Sequence, residues 1–512
     1  MGIYGGGIKN MESEALIRAR EYEKEEGDRI PDRDRPVYHL TPLAGWLNDP
    51  NGFSYYQGEY HLFYQYYPFA AEWGPMHWGH AVTKDLLSWE YRPAALAPDC
   101  SYDEEGCWSG SALTLPDGRQ LLVYTGREPF TNEGQREICQ VQCLAVGDGT
   151  NYEKWPDNPV LTGKDLPEGS SIYDFRDPKA WKDEKSGLYY MVAVNRAADG
   201  HGQALLYESQ DGFSWQFENV LDASHGRLGS MWECPDFFEL DGKTILLVSP
   251  QAMKQEGEFL NYHGNAYLIG SYDADTRTFT REAAHALDFG YDFYAATTTE
   301  GPDGRRILVA WMQAWENVKG RSYPLGWAGM MTVPRELSVK DGHLFQNPVR
   351  ELLARRQNPV NYRQVSVTGP LSLKGVSGRS LDMIVHIGPG QDSDYSAFEI
   401  RFAEGEIGGQ YYGTVLRYEK EKGLIRLDRS MSGYADDLMP ARVLKLEVEE
   451  GGQGRGEDLS IRILLDRFSA EIFINDGRYS LSSLLETGQE ADGISFLAEG
   501  QAVIDVEKYE IR

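Results

Sequence analysis

The sequence predicts an all-β protein in which a five-bladed β-propeller is followed by a C-terminal β-sandwich. Aromatic residues are abundant, with 12 Trp, 31 Tyr and 19 Phe, and stretches of helical period are scarce after the N-terminus. A segment of about 60 residues recurs through the first 350 residues, and apolar and polar residues alternate in short runs after about residue 360. The chain has 512 residues, which is enough for at least two domains with separate cores.

The predicted domains follow from where each pattern begins and ends. Residues 1–35 form an N-terminal extension with a short charged helix from Met11 to Glu26. Residues 36–350 form the propeller, and residues 351–361, within NPVRELLARRQNPV, form a linker. Residues 362–512 form the sandwich, in which segments such as YSAFEIRFA and SIRILLDRFSAEIFIND alternate apolar and polar side chains.

The repeat begins with a turn glycine followed by an apolar strand, as in GEYHLFYQY and GRQLLVYTG. The glycines stand at positions Gly58, Gly118, Gly187, Gly242 and Gly304. Each lies in a turn-like segment between two strand-like runs, as a β-hairpin requires. Five such units, each with room for about four short strands, predict five propeller blades.

A polar residue stands nine or ten positions before each turn glycine. These residues are Asp49, Ser109, Asp177, Glu233 and Tyr294. If each begins the first strand of a blade, all five side chains meet at one end of the central channel. Three carboxylates would then face one pocket, and because like charges repel, such a cluster points to catalysis.

A retaining glycosidase needs two carboxyl groups about 5–5.5 Å apart, one as nucleophile and one as general acid/base. Asp49 lies in WLNDPNG, where Asn48 and Asn51 can donate hydrogen bonds to an ionised carboxylate. It is therefore the predicted nucleophile. Asp177 follows Arg176, whose guanidinium favours the charged form, so Asp177 is predicted to stabilise the transition state.

Glu233 lies between Trp232 and Cys234, where desolvation and the two nearby carboxylates are expected to favour a protonated carboxyl group. It is therefore the predicted general acid/base. Aromatic residues that crowd the same segments offer faces on which sugar rings can stack. Hydroxyl groups of a sugar can be bound by Gln65, Ser109 and Asp292.

Seven segments between residues 36 and 350 carry a specific family resemblance. In order, they are WLNDPNG, FYQYYP, WGHAVTKDLLSW, CWSGSA, FRDPKAW, WECPDFF and DFYAATT. They resemble glycoside hydrolase family 32, the group of invertases, inulinases, levanases and sucrose-6-phosphate hydrolases. The resemblance implies an exo-acting, retaining β-fructofuranosidase on a propeller with a C-terminal sandwich.

The resemblance also implies roles for individual residues. It makes Asp49 the nucleophile, Asp177 the transition-state stabiliser and Glu233 the acid/base, in agreement with the chemical argument. It further implies a fructosyl subsite lined by Asn48, Gln65, Trp73, Ser109 and Arg176 and supported by Asp292 and Tyr294.

The formal net charge of −29 argues against nucleic acid and anionic membranes as partners and favours a small neutral sugar. The five cysteines are odd in number and sparse, and the histidines lack metal-ligand spacing, so we expect no disulfide framework, metal or cofactor. Without a signal-peptide or membrane-spanning segment in the sequence, we expect a cytoplasmic protein. The sandwich is a candidate surface for homo-oligomer formation.

Several alternatives stay open at this stage. Sucrose, short fructo-oligosaccharides and sucrose-6-phosphate share the fructosyl unit, so the leaving-group side must decide between them. Recognition of a phosphate would favour Arg or Lys beside the pocket, and the sequence does not place Lys254, Arg321 or Arg335 relative to it. Rival activities are a fructosyltransferase, a non-catalytic carbohydrate-binding propeller and an inverting arabinan- or xylan-cleaving enzyme, which WLNDPNG and ECPD disfavour.

Overall fold

The structure is a computed structural model that describes residues 12–320, 325–390, 394–433, 441–447 and 459–512. The helix predicted near the N-terminus is present as Glu14–Gly27, and Met11 lies outside the described residues. Its first turn is capped by the Ser13 hydroxyl, which accepts a 3.1 Å hydrogen bond from the Leu16 N–H. In the described residues, no helix has the length and apolar character that crossing a membrane requires.

Five β-sheets between residues 45 and 348 form the blades of a propeller. Within the described residues, each blade has four antiparallel strands in chain order. The strands are Gly45–Tyr56, Glu59–Tyr67, His77–Thr83 and Glu90–Leu96 in blade 1; Cys107–Thr114, Gln120–Asn132, Gln135–Gly147 and Tyr152–Lys154 in blade 2; Phe175–Lys182, Tyr189–Arg196, Gly202–Ser209 and Gln216–Ala223 in blade 3; Met231–Leu240, Lys243–Gln251, Ala266–Asp273 and Thr278–Ala286 in blade 4; and Tyr294–Glu300, Arg306–Trp311, Arg335–Lys340 and His343–Pro348 in blade 5.

The first strands of the five blades form a closed ring. Each contacts the first strands of the preceding and the following blade, and blade 5 returns to blade 1. A short strand from blade 5, Trp327–Ala328, pairs in parallel with Gly45 and Trp46 at the edge of blade 1. Because this pairing joins the last blade to the first, it ties the ring shut.

Every first strand has one extra residue relative to the strand beside it, near the start of the blade. The resulting β-bulges fall between Leu47 and Pro50, Trp108 and Gly110, Arg176 and Lys179, Glu233 and Asp236, and Tyr294 and Thr297. A bulge interrupts pairing and redirects a side chain. The five polar residues singled out in the repeat all lie at these bulges.

The residues around the bulges explain why the strands break there. Pro50, Pro178 and Pro235 follow the three acidic residues closely, and proline has no N–H to continue a sheet ladder. In blade 2 a glycine, Gly110, takes this place, where a Cβ atom would lie 2.0 Å from the Val123 carbonyl oxygen. Asp177 itself has a left-handed φ of 61°, as a bulged residue can.

The C-terminal part is a sandwich of two antiparallel sheets, as the fold class predicted. Within the described residues, one sheet has six strands and the other has five. In spatial order the strands are Arg356–Val367, Ala502–Ile511, Leu381–Pro389, Leu459–Asp466, Ser469–Ile474 and Tyr479–Leu484 in the first sheet, and Ala441–Lys445, Leu424–Met431, Gln410–Glu419, Tyr395–Ile407 and Gly493–Gly500 in the second.

The connection between the two parts is shorter than the linker predicted at residues 351–361. Short 3-10 helices occur at Asp32–Asp34, Gly163–Asp165, Trp315–Gly320, Arg350–Arg355 and Lys420–Lys422. The 3-10 helix Arg350–Arg355 leads directly into the strand Arg356–Val367, which pairs with the C-terminal strand Ala502–Ile511. Residues 356–361 are therefore already part of the sandwich, because the C-terminal strand supplies their backbone partners.

A buried polar network joins the propeller to the six-stranded sheet. His39, in the segment that leads into blade 1, lies 2.8 Å from Asp466 through Nδ1 and 2.8 Å from Glu471 through Nε2. Arg335 of blade 5 donates to the other oxygen of Glu471 at 2.6 Å and to Asp288 at 3.1 Å. These side chains are essentially inaccessible to solvent, so the two parts share a charged, fully enclosed interface.

Candidate active site

Asp49 of blade 1 is held by donors from two blades. The Ser109 hydroxyl donates to Asp49 Oδ2 at 2.7 Å, and Asn48 Nδ2 donates to Oδ1 at 3.1 Å. Asn48 is itself oriented by Trp46, whose indole N–H donates to its carbonyl oxygen at 2.8 Å. The expectation that Asn51 also donates to Asp49 is wrong, because Asn51 Nδ2 is buried without a hydrogen bond, while its side-chain oxygen accepts one of 3.3 Å from the Gly110 N–H.

Asp177 of blade 3 is linked to Asp49 through Cys234 of blade 4. The Cys234 backbone N–H donates to Asp177 Oδ2 at 2.9 Å. Its sulfur lies 3.7 Å from that oxygen and 3.6 Å from Asp49 Oδ2. The Asp177 N–H in turn donates to the Thr125 hydroxyl of blade 2 at 2.9 Å. The two aspartates therefore meet at one buried residue that the bulge in blade 4 presents.

Glu233 of blade 4 lies between a guanidinium and a phenol. Arg176 Nε donates to Glu233 Oε1 at 3.1 Å, and the Tyr294 hydroxyl donates to Oε2 at 2.5 Å. Arg176 Nε is 4.0 Å from Asp177, so the arginine pairs more closely with Glu233 than with the neighbouring aspartate that the sequence suggested. Its Nη1 is fixed by Gln140 and Asp174, both at 3.2 Å.

Burial and mutual repulsion control the charges of this cluster. Burial raises the pKa of Asp49 to about 6, assisted by the nearby charge of Glu233 and opposed by the hydrogen bond from Ser109. Burial also raises the pKa of Asp177, and this effect exceeds the opposing influence of Arg176. Arg176 thus favours the charged form of Asp177, as expected, but burial outweighs its influence. Burial therefore makes it costly for Asp49 and Asp177 to be ionised at the same time.

Similarity to known proteins agrees with this arrangement. Residues 39–348 match the glycosyl hydrolases family 32 N-terminal domain, and residues 351–512 match the family 32 C-terminal region. The chain belongs to glycosyl hydrolase family 32. It is 38% identical over 511 residues to a sucrose-6-phosphate hydrolase of Zymomonas mobilis, covering 96% of this chain and 94% of that protein.

Other members of family 32 align over nearly the whole chain. A raffinose invertase of Escherichia coli is 38% identical over 479 residues, covering 92% of this chain and 93% of its own length. Among solved structures, a β-fructofuranosidase of Bombyx mori in complex with sucrose superposes with a TM-score of 0.81 at 32% identity, covering 98% of this chain and 99% of that chain. The sucrose-6-phosphate hydrolase of Lactobacillus gasseri gives a TM-score of 0.79 at 27% identity, with 98% and 97% covered.

Two residues that the family resemblance assigned to the fructosyl subsite lie beside the cluster without contacting its carboxylates directly. Gln65 is buried and donates to the Cys107 carbonyl at 3.1 Å, two residues before Ser109. Trp73 is 44% exposed, and its ring stands edge-on to Trp108 at a centroid distance of 6.5 Å. Trp73 therefore presents an aromatic face to solvent.

Asp292 contacts the C-terminal sandwich. Its carboxylate is fully buried and accepts hydrogen bonds from Arg429 Nη1 at 2.5 Å and from the Leu484 N–H at 2.8 Å. Both donors belong to the sandwich. Asp292 therefore lies at the interface of the two domains, two residues before Tyr294.

The three candidates for phosphate recognition are separated by the structure. Arg335 is enclosed in the interdomain network and fully buried. Lys254 is exposed in the loop between the second and third strands of blade 4. Arg321 lies outside the described residues. None of these positions places a cation against the carboxylates in the described part of the chain.

The sequence reasoning missed four residues that hold the cluster in place. Thr125 and Cys234 contact Asp177, and Gln140 contacts Arg176. The Ser249 carbonyl accepts a 3.3 Å hydrogen bond from the Tyr294 hydroxyl. Three of them lie on second or third strands, where the repeat gave no marker. Cys234 could have been found, because it is adjacent to Glu233 in the bulge.

One acidic group outside the site has the composition of a metal site. Asp99, Cys100 and Asp103 have ligand atoms within 4.8 Å of one another. The Lys154 ammonium already lies 2.5 Å from both carboxylates, so a cation is supplied by the chain itself. The chemistry of this group therefore does not call for a metal.

Proposed function

We propose that this family 32 enzyme is a retaining exo-β-fructofuranosidase that releases terminal β-D-fructofuranosyl units from sucrose, its 6-phosphate and short fructo-oligosaccharides. One observation carries the proposal: Asp49, Asp177 and Glu233 converge from three blades at equivalent bulges. Two carboxyl groups on opposite sides of a sugar acetal are what glycoside hydrolysis needs. The names of the relatives, a sucrose-6-phosphate hydrolase, a raffinose invertase and a β-fructofuranosidase, support the same class of substrate.

In the first step, Asp49 attacks C2 of the fructosyl unit while the bond from C2 to the leaving oxygen breaks. Glu233 gives its proton to that oxygen, so the leaving sugar departs as a neutral alcohol. Ser109 and Asn48 hold the Asp49 carboxylate in place for the attack. The product of this step is a fructosyl ester of Asp49.

In the second step, Glu233 takes a proton from water, and the resulting hydroxide attacks C2 and displaces Asp49. Asp177 faces the same space and stabilises the positive charge that develops on the fructosyl ring in both steps. Arg176 and Tyr294 act as positioning residues, because each holds one oxygen of Glu233. Two donors that anchor one carboxyl group limit its rotation between the acid and the base step.

The proposed fructosyl subsite is lined by Asn48, Gln65, Trp73, Ser109 and Arg176 and supported by Tyr294, because all of them lie in or beside the cluster. Asp292 supports the fructosyl subsite only indirectly, through the domain interface. A cytoplasmic location and a homo-oligomer formed through the sandwich stay predictions. Light scattering of the purified chain measures the oligomeric state directly.

Product analysis tests the proposal. The enzyme is incubated with sucrose, sucrose-6-phosphate, 1-kestose, levan fragments and arabinan, and the released sugars are quantified. We expect fructose from the fructosides and no release from arabinan. The Asp49→Asn variant should form no product, while the exposed Asp275→Asn variant serves as the matched control with unchanged activity.

Hydrolysis and transfer are separated in the same assay at high sucrose. A fructosyltransferase would form kestose-type products and release glucose in excess of fructose, whereas a hydrolase releases the two in equal amounts. The proposal would be contradicted if none of the fructosides released fructose. Retention is checked by NMR of the anomer first formed.

A further inference from the structure

Arg127 lies beside the carboxylate cluster, on the face of blade 2 that carries Thr125 and Gln140. It is two residues after Thr125, which accepts the Asp177 N–H, and directly opposite Gln140, which binds Arg176. Side chains two apart in a strand, and those directly opposite across a pair, point to the same face of the sheet. The Arg127 side chain therefore faces the rim of the site.

Two tryptophans adjoin this arginine. The Arg127 guanidinium lies 4.6 Å from the centre of the Trp108 ring, in the geometry of a cation–π contact. Trp108 directly precedes Ser109, and its ring stands against the half-exposed Trp73. Arg127 therefore belongs to a surface that a sugar bound beyond the fructosyl unit would meet.

The charge of Arg127 is poorly compensated. Its Nε is buried without a hydrogen bond, and its Nη1 makes a single 3.5 Å contact with the Glu105 carbonyl. The Glu105 carboxylate is engaged by Arg136 at 2.7 Å, and within the described residues no carboxylate forms an ion pair with Arg127. Burial lowers the pKa of Arg127, the charge of Glu105 partly opposes this, and the positive charge of Arg176 adds to the lowering. A guanidinium nevertheless stays protonated, and an anion bound at this rim would offset the free-energy cost of burying its charge.

We propose that Arg127 binds a phosphoryl group on the leaving sugar, and thereby selects fructosides whose glucosyl unit is phosphorylated at O6. The inference rests on the proposed function, because it places the glucosyl unit next to the fructosyl subsite. The planar guanidinium, which lies over the Trp108 ring, can bind two phosphoryl oxygens at once. Trp73 offers the adjoining face for the sugar ring.

The test compares kcat/KM for sucrose-6-phosphate and for sucrose in three proteins: the wild type, Arg127→Gln and Arg119→Gln. The control removes the same charge from the same blade at a side chain that is 54% exposed and pairs with Asp117. We expect the wild type to prefer the phosphorylated substrate. In Arg127→Gln the ratio of the two kcat/KM values should fall about 10–100-fold, chiefly through KM, as the loss of a charge-assisted contact implies. Arg119→Gln should keep the wild-type ratio.

Product inhibition gives a second readout that does not depend on turnover of the phosphorylated substrate. Glucose 6-phosphate should inhibit sucrose cleavage by the wild type more strongly than glucose does, and Arg127→Gln should lose that difference. An unchanged ratio in Arg127→Gln, an equal fall in the control, or a wild type that cleaves sucrose without preferring its 6-phosphate would each overturn the inference. Absence of fructose release from both substrates would instead overturn the proposed function.

Discussion

The hydroxyl of Ser109 in blade 2 donates a 2.7 Å hydrogen bond to the Asp49 carboxylate of blade 1. Both residues lie at the bulge of their first strand, about 60 positions apart in the sequence. The bond joins two equivalent repeat positions and stabilises the ionised form of Asp49. It therefore links the architecture of the propeller to the charge of the proposed nucleophile.

Ser109→Ala should move the acidic limb of the pH profile of kcat/KM to higher pH. Burial raises the pKa of Asp49 to about 6, and the Ser109 hydrogen bond opposes this rise. Its loss raises the pKa further, by roughly half to one pH unit for a bond of about 1 kcal/mol. The profile on sucrose is measured from pH 4 to 8, with the exposed Ser214→Ala as control. A shift toward lower pH would contradict the assignment of Asp49.

Glu233→Gln should reduce the rate on sucrose by about 10²–10⁴-fold, because the glucosyl oxygen no longer receives a proton. Fructosyl fluoride needs little protonation to leave, so the first-turnover release of fluoride should fall less than about tenfold. Glu239→Gln changes an exposed residue of the same strand and is the matched control. An equal loss on both substrates would show that Glu233 is not the proton donor.

His39→Gln should destabilise the protein most strongly at slightly acidic pH. Burial by itself would lower the pKa of His39, but the bonds and charges of Asp466 and Glu471 raise it to about 9. The folded pKa exceeds the unfolded one, so the stabilisation is complete below about pH 6.5 and is lost as pH rises through about 9.

Removing one partner of a buried ion pair costs about 3–5 kcal/mol. Denaturant unfolding of wild type and His39→Gln at pH 6.5 and pH 10 measures the difference, which should shrink at the higher pH. His386→Gln alters an exposed histidine of the sandwich and controls for the substitution itself. A difference that does not depend on pH would mean that His39 is neutral in the folded protein.

Asp292→Asn should lower stability by about 3–5 kcal/mol and change KM for sucrose less than twofold. The Asp292 carboxylate is fully buried against Arg429, so its loss removes one partner of a buried ion pair. Thermal unfolding and steady-state kinetics are measured together, with Asp275→Asn as the exposed control. A large rise in KM at unchanged stability would instead place Asp292 in the sugar site, as the family resemblance implied.

The sequence by itself determined the fold class and the acidic residues. Turn glycines and strand periods follow from local backbone preferences, so the five units could be read from the chain. The polar residue before each turn lies at a fixed distance from it, and a propeller brings such equivalent positions to one end of its channel. Asp49, Asp177 and Glu233 were therefore within reach of an argument from spacing.

Only the tertiary structure decided which groups these side chains contact. Arg176 is next to Asp177 in the sequence but donates to Glu233 of the next blade. Asp292 is two residues from Tyr294 in the sequence but binds Arg429 of the sandwich. The position of Arg127 opposite Gln140 likewise depends on a pairing between two strands of blade 2. Spacing fixes which residues share a face of a strand, whereas the partner across a blade or a domain interface depends on packing between distant segments, and no local pattern carries that information.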